Sequence, residues 1–192
     1  MSASKPCVGF ALCGSFCTFS QVIPQIQVLV DLGYDVLPIM SPAAYGTDTR
    51  FGAASQHIVN IETITGHSVL HTIDQVEPIG PKQLLDVLVV APCTGNTLGK
   101  LAAGIYDTPV TLSVKSHLRN ARPVILAIST NDGLSGSAKN IGALQNMKHT
   151  FFVPYSQDDP VKKPMSLVAH MSLIPKTVEY ALAGKQIQPI LA

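Results

Sequence analysis

The chain is poor in charge. Asp, Glu, Lys and Arg together make up 13% of its 192 residues, about half the usual share of roughly 25%. The formal net charge is +1 and the aromatic residues, 6% of the chain, are scattered, so neither a basic field nor a stacking platform supports nucleic-acid binding. Cysteine is confined to Cys7, Cys13, Cys17 and Cys93, with no CxxC pair, which speaks against a metal site or a disulfide framework. The first apolar run, Val8–Cys13, is too short for a secretory or membrane segment, so a cytoplasmic protein with no membrane association is expected. A GxGxxG loop is missing too, and its absence disfavours a standard dinucleotide site.

What is present is apolar and alternating. Hydrophobic residues form 46% of the chain, leaving too little polar surface to cover one copy, so a homo-oligomer is expected. Residues 1–192 read as a single α/β domain. Cys7–Cys13 reads as a strand, Phe19–Leu32 as a helix with a Val22, Ile26, Leu29 and Val30 stripe closed by Gly33, and Asp35–Met40 as a second strand. A polar connection, Ser41–Arg50, leads to a helix over Phe51–Thr65 that Gly66 ends, and Val69–His71 reads as a short strand. Leu85–Ala91 is almost wholly apolar, as a central parallel strand should be. Helices follow over Thr94–Ala103 and Pro109–Arg119, a strand over Val124–Ser129, a helix over Ser137–Met147 and a short strand over Phe151–Val153. Ser166–Ala183 reads as a long last helix kinked at Pro175. The pattern predicts a doubly wound parallel sheet.

Two polar loops placed straight after strands locate the chemistry. Val8–Cys13 runs into Gly14-Ser15-Phe16-Cys17-Thr18, and Leu85–Ala91 into Pro92-Cys93-Thr94-Gly95-Asn96-Thr97. In an open parallel sheet ligands bind beyond the carboxyl ends of the strands, so both loops point to one site. Gly14 lets the chain pass close to a ligand, and Ser15 and Thr18 add hydroxyls just before a helix whose N-terminus favours phosphate. Thr94, Asn96 and Thr97 surround one glycine with three hydrogen-bonding side chains, where a helix cap needs only one.

The second loop resembles the PASANT motif of the homo-oligomeric flavin-containing cysteine decarboxylases, a Rossmann-like flavoprotein superfamily in which this segment and the Gly-Ser loop help hold FMN. Val89–Asp107 is similar to the strand, loop and helix of phosphopantothenoylcysteine decarboxylases. A closer likeness is to the family of dipicolinate synthase B subunits, a sporulation branch. It runs through Thr49-Arg50-Phe51-Gly52, Ser129-Thr130-Asn131-Asp132, Phe152-Val153-Pro154, Gln157-Asp158, Lys162-Lys163-Pro164 and Gly184-Lys185-Gln186. Against the decarboxylases, a PxMN motif would fall on Ile128-Ser129-Thr130-Asn131 with only its Asn kept, and no cysteine follows Cys93 to match the one in their substrate clamp.

This resemblance implies an oxidoreductase activity: oxidation of a dihydro- or tetrahydrodipicolinate-level precursor to dipicolinate. It implies a partner, the A-type chain of dipicolinate synthase, with the NAD(P) site expected there, and FMN as the possible cofactor of this chain. Gly14, Ser15, Thr18, Ser41, Thr94, Asn96 and Thr97 are then the cofactor-binding candidates, with Ser41 matching a flavin-phosphate position. His71 and Asn131 are the catalytic candidates, and Arg50 and Asn131 the contacts for a small dicarboxylate, because a planar guanidinium suits a carboxylate. The family assembles from trimers with the ligand near a subunit interface, and the apolar face of Leu98, Leu101, Ala102 and Ile105 is the expected contact. Other readings stay open beside these. His71 also reads as a strand-end histidine, Arg50 as a solvated loop residue, Ser41 as a loop initiator, and Lys162 and Lys163 as a solvated pair; His57, His67, His117, His149 and His170 show no ligand spacing. A flavin-dependent decarboxylase and a non-catalytic partner with a vestigial pocket are the alternative functions.

Overall fold

A computed structural model describes residues 5–192. Its strands form where β-branched and other apolar residues run without interruption: β1 (Cys7–Leu12), β2 (Asp35–Met40), β3 (Val87–Cys93), β4 (Val124–Thr130) and β5 (Thr150–Phe152). All pair in parallel, in the order β2-β1-β3-β4 with β5 beside the first half of β4. Every residue of β3 is buried, as a strand covered on both faces must be.

Helices fill the crossovers. In chain order these are α1 (Phe19–Asp31), α2 (Pro42–Gly46), α3 (Ala54–Thr65), α4 (Ile73–Val76), α5 (Gly95–Ala102), α6 (Pro109–Leu118), α7 (Ala138–Gln145) and α8 (Ile174–Leu182). α1 packs with α3 and α8 over one face of the sheet, while α5, α6 and α7 cover the other. Phe19, Val22, Ile23, Ile26 and Leu29 form the buried stripe of α1, and Val30 is partly buried beside it. The helix ends before Gly33, which takes φ +91°, a left-handed conformation that costs a glycine little.

The structure corrects several sequence-based boundaries. The Ser41–Arg50 connection contains α2, capped by the Ser41 hydroxyl, which accepts the Ala44 N–H at 3.2 Å. Helix α3 starts at Ala54 and not at Phe51, because Thr49 and Gly52 pair in a tight turn and Asp48 accepts the Ala54 N–H at 2.8 Å. Val69–His71 contributes only a bridge between Leu70 and Ile39.

The largest departure lies near the C-terminus. In place of one kinked helix, the chain makes a hairpin of β6 (Tyr155–Asp159) and β7 (Lys163–Ala169), and then α8. Ser129 and Thr130 of β4 pair antiparallel with Val168 and Leu167 of β7, so the hairpin extends the far half of the β4 edge. Short apolar runs do not distinguish strand from helix, and here the open edge of β4 decided the matter. Pro175 occupies the first turn of α8, where its missing N–H costs nothing. The apolar face expected to meet another subunit is also corrected. Leu98 and Leu101 are buried inside the chain's own core, and only Ile105 is exposed.

His117, in the last turn of α6, is buried with its Nε2 unpartnered among the described atoms. Burial, aided by the Arg122 guanidinium, pulls its pKa down to about 4. The folded chain therefore holds a neutral imidazole that unfolding releases to an ordinary pKa near 6.5. Its contribution to stability is complete above pH 6.5 and is lost as pH falls toward 4. Denaturant unfolding at pH 7 and pH 5 should show a loss on the order of 1–2 kcal/mol that His117→Met removes; an identical pH profile in the variant would exclude this histidine as the cause.

Candidate functional site

Parallel strands β1 and β3 are neighbours, but the chain leaves β1 toward β2 and leaves β3 toward β4. Their following loops diverge, and a crevice opens at this switch point beyond the strand ends. A cavity of about 920 Å³ lies there, at the upper end of the range of roughly 300–1,000 Å³ typical of ligand sites. It takes its lining from the β1–α1 loop, the β3–α5 loop, the residues after β4 and the hairpin.

Each loop has a local cause. After β1, Gly14 passes within contact distance of α2, where a Cβ would lie 3.4 Å from that of Ala43. Ser15 then turns the chain into a short 3-10 segment, Phe16–Thr18, that leads directly into α1. The Thr18 hydroxyl donates to the Ser15 carbonyl at 2.7 Å, and the Ser15 and Ser129 hydroxyls lie 2.8 Å apart, reaching across the end of β3. After β3, Thr94 caps α5, its hydroxyl accepting the Thr97 N–H at 3.3 Å. The N–H groups of Gly95 and Asn96 open that helix and have no carbonyl within it to bond. Gly95 is there because a Cβ would stand 2.5 Å from Thr130 Oγ1 and 2.8 Å from Asp132 Oδ1.

Of the residues singled out from the sequence, Gly14, Ser15, Thr18, Thr94, Asn96 and Asn131 line the cavity together. Thr97 sits beneath it, donating to Cys13 Sγ at 3.2 Å. Ser41, Arg50 and His71 do not reach the cavity wall of the same chain. Ser41 caps α2; Arg50 lies over the Phe51 ring, 4.9 Å from its centroid; His71 stacks on Tyr45 at 3.7 Å, with Nδ1 3.3 Å from the Val69 carbonyl oxygen.

The structure brings to the cavity residues that the sequence reading had given no place in the site. Ser129, Asp132, Asp158, Lys163 and Ser166 all face the cavity, so Lys163 is not simply half of a solvated pair. Polar residues closing the apolar β4 were a signal for Ser129, and Asp159-Pro160 was a turn signal for the hairpin. Bonds from Thr130 at 2.5 Å and from Ser137 hold the Asp132 carboxyl below its usual range, so it is ionised at neutral pH. Lys163 donates to Asp158 at 2.6 Å, and that contact raises its pKa and keeps the ammonium charged.

The arrangement is a hydroxyl-rich crevice onto which two helix beginnings open, the 3-10 start of α1 and the N-terminus of α5. Such donors suit a phosphate and a polyhydroxylated chain. Fold and site together are those of a Rossmann-like α/β protein with a hydroxyl-lined crevice at its switch point.

The chain belongs to the flavoprotein family, whose model, described as Flavoprotein, matches residues 1–182. It is similar to the dipicolinate synthase B subunit of Bacillus subtilis (strain 168), being 47% identical over 184 residues, 96% of this chain and 92% of that protein. Among solved structures it resembles the dipicolinate synthase B subunit from Bacillus halodurans C, with a TM-score of 0.90 and 44% identity over 97% of this chain and 96% of that one. A more distant likeness is to the FMN-dependent cysteine decarboxylase TvaF from thioviridamide biosynthesis. There the TM-score is 0.55 and the identity 26%, over 73% of this chain and 85% of that one. Among the described residues no helix is long and apolar enough to cross a membrane, and no cluster of His, Cys, Asp or Glu could hold a metal ion.

The four cysteines differ sharply in environment. Burial lifts the Cys13 thiol to about 11 and the Cys93 thiol well above the usual range, and burial with Asp35 and Asp86 nearby lifts Cys7 to about 11. Cys17 alone is exposed, on the cavity wall. Native protein at pH 8 should therefore react rapidly with an aromatic disulfide reagent at one thiol, and Cys17→Ser should abolish that phase. Rapid labelling that persists in Cys17→Ser would show that a second thiol is open to solvent, the half-buried Cys7 before the buried Cys13 and Cys93.

Proposed function

We propose that this chain binds FMN in the cavity at the β1/β3 switch point. In this reading it serves as the B-type subunit of an enzyme that oxidises a dihydro- or tetrahydrodipicolinate-level precursor to dipicolinate. The observation that carries the reading is the convergence of both helix beginnings and their hydroxyl residues on one cavity of about 920 Å³. It occurs in a chain 47% identical, over nearly its whole length, to a dipicolinate synthase B subunit. The donor set fits the cofactor, since hydroxyls and unpaired N–H groups suit a phosphate and ribityl chain while Leu167 and Val168 offer apolar wall.

In this reading Ser15, Thr18, Thr94 and Asn96 hold the phosphate and sugar-alcohol part, with Gly14 giving room for close approach. Thr97 and Ser41 act one layer back, fixing the loop over Cys13 and the start of α2. Bound there, FMN would supply a two-electron acceptor next to the substrate, the protein contributing position and electrostatics. Asn131 orients the substrate by hydrogen bonding. Aromatisation would remove one hydride and one proton from a dihydro ring, or two of each from a tetrahydro ring, and an NAD(P) held by the partner, the A-type chain of the enzyme, would be the final acceptor. Arg50 and His71 lie outside the cavity wall of their own chain, so they serve the reaction only where a neighbouring copy in a trimer-based homo-oligomer brings them to it.

The purified protein should show flavin absorbance near 450 nm or acquire it with FMN. Ser15→Asp, which sets a carboxylate against the phosphate in a poorly screened site, should lower FMN affinity at least ~100-fold, about 2.7 kcal/mol. FMN bound equally well by Ser15→Asp would move the phosphate away from the β1–α1 loop. Light scattering of the same samples checks the assembly, and a monomer at micromolar concentration would remove Arg50 and His71 from the site.

A further inference from the structure

In the reading above, a dicarboxylate enters a cavity that also holds a phosphate. The protein side chains there add two more carboxylates, those of Asp132 and Asp158. The Asp132 charge is taken up by Thr130 and Ser137, and the helix N-termini are committed to the phosphate. Anions brought this close repel strongly unless a cation intervenes. Among the described residues, the cavity wall carries one basic side chain, Lys163.

Lys163 is placed there by a built feature of the hairpin. The Asp159 carboxylate accepts the N–H groups of Val161 and Lys162 at 3.1 and 2.9 Å, which fixes the turn and sets Asp159 opposite Lys163. Beyond that pair the register breaks: Asp158 alone spans the interval that Pro164–Ser166 spans on β7. Pro164 has no N–H to give the ladder, and its carbonyl is taken by the Gln157 side chain at 3.0 Å. Irregularities of this kind re-aim side chains beside functional sites, and here both Asp158 and Lys163 face the cavity. Their contact at 2.6 Å is half open to solvent, with side-chain exposures of 35% and 58%. An exposed pair holds weakly, and the flexible lysine stem can turn its three donors to another carboxylate within reach.

We infer that Lys163 is the substrate's carboxylate anchor, released from Asp158 as the dicarboxylate binds. The inference rests on the proposed function for the identity of the ligand. It also supplies within one chain a cation that Arg50, over Phe51 and off the cavity wall of its own chain, does not. Asp158 has two effects: it holds the ammonium at the cavity mouth, and it competes with the ligand for it.

Titration calorimetry with dipicolinate, alongside the flavin absorbance of each sample, tests this. Lys163→Met should weaken dipicolinate binding at least tenfold with flavin content unchanged. Lys163→Arg should stay within a few-fold of the parent, and Asp158→Asn should bind as tightly or more tightly because the competitor is gone. Dipicolinate bound equally by Lys163→Met, no binding by the parent protein, or weaker binding by Asp158→Asn would overturn the anchor. A parent protein that neither carries flavin nor acquires it with added FMN overturns the FMN reading instead, and the dipicolinate heats then decide the role of Lys163 by themselves.

Discussion

Adjacent parallel strands whose chains leave in opposite directions cannot share a covering loop, and the site depends on that constraint. β1 and β3 lie side by side, yet the chain crosses from β1 to β2 and from β3 to β4. The gap between the two exits is held open by the rigid sheet, whose β3 end, Ala91 and Cys93, has no exposure at all. Within that gap, Ser15 and Ser129 meet above the end of β3. A bond between residues 114 positions apart ties the first loop to the end of β4, so the donors are ordered before any ligand arrives. Pre-ordering of this kind lowers the entropic cost of binding.

The polar character of the crevice is unusual for a chain with so few charges. Hydroxyls and backbone N–H groups supply nearly all of it, and the fixed charges are kept under control by neighbours: Asp132 by Thr130 and Ser137, Lys163 by Asp158. The hairpin closes the wall on the side of β4. Its pairing to Ser129 and Thr130 solves a second problem, because the far half of the β4 edge would otherwise offer unpaired backbone groups. A single element thus completes the sheet and brings Ser166, Leu167 and Val168 to the cavity.

Much of this was legible in the sequence where the signal was local. Strands such as Val124–Ser129 announce themselves by continuous apolar residues, Gly33 and Gly66 mark helix ends, and the Gly14-Ser15 and Thr94–Asn96 loops stand out as hydroxyl-rich stretches after strands. All of these depend on neighbours a few residues apart, for which the physics of helix period and turn chemistry is sufficient. Ser166–Ala169, read as the start of a helix, failed as a local signal because the same run satisfies a helix face or a strand, and Pro175 fits a first turn as well as a kink.

The sequence by itself determined the parallel α/β class, the strand ends whose loops line the cavity and the hydroxyl nature of their side chains. Tertiary structure decided which of those donors meet. Ser15 and Asn96 share a wall with Asn131, while Ser41, Arg50 and His71, equally placed after strands, turn to α2, Phe51 and Tyr45. It also decided that Lys163 lines the cavity, since the pairing of β7 with β4 carries the hairpin there. The reason is that strand order and edge pairing are settled by competition among all apolar surfaces and open edges at once, and no stretch of sequence contains that competition.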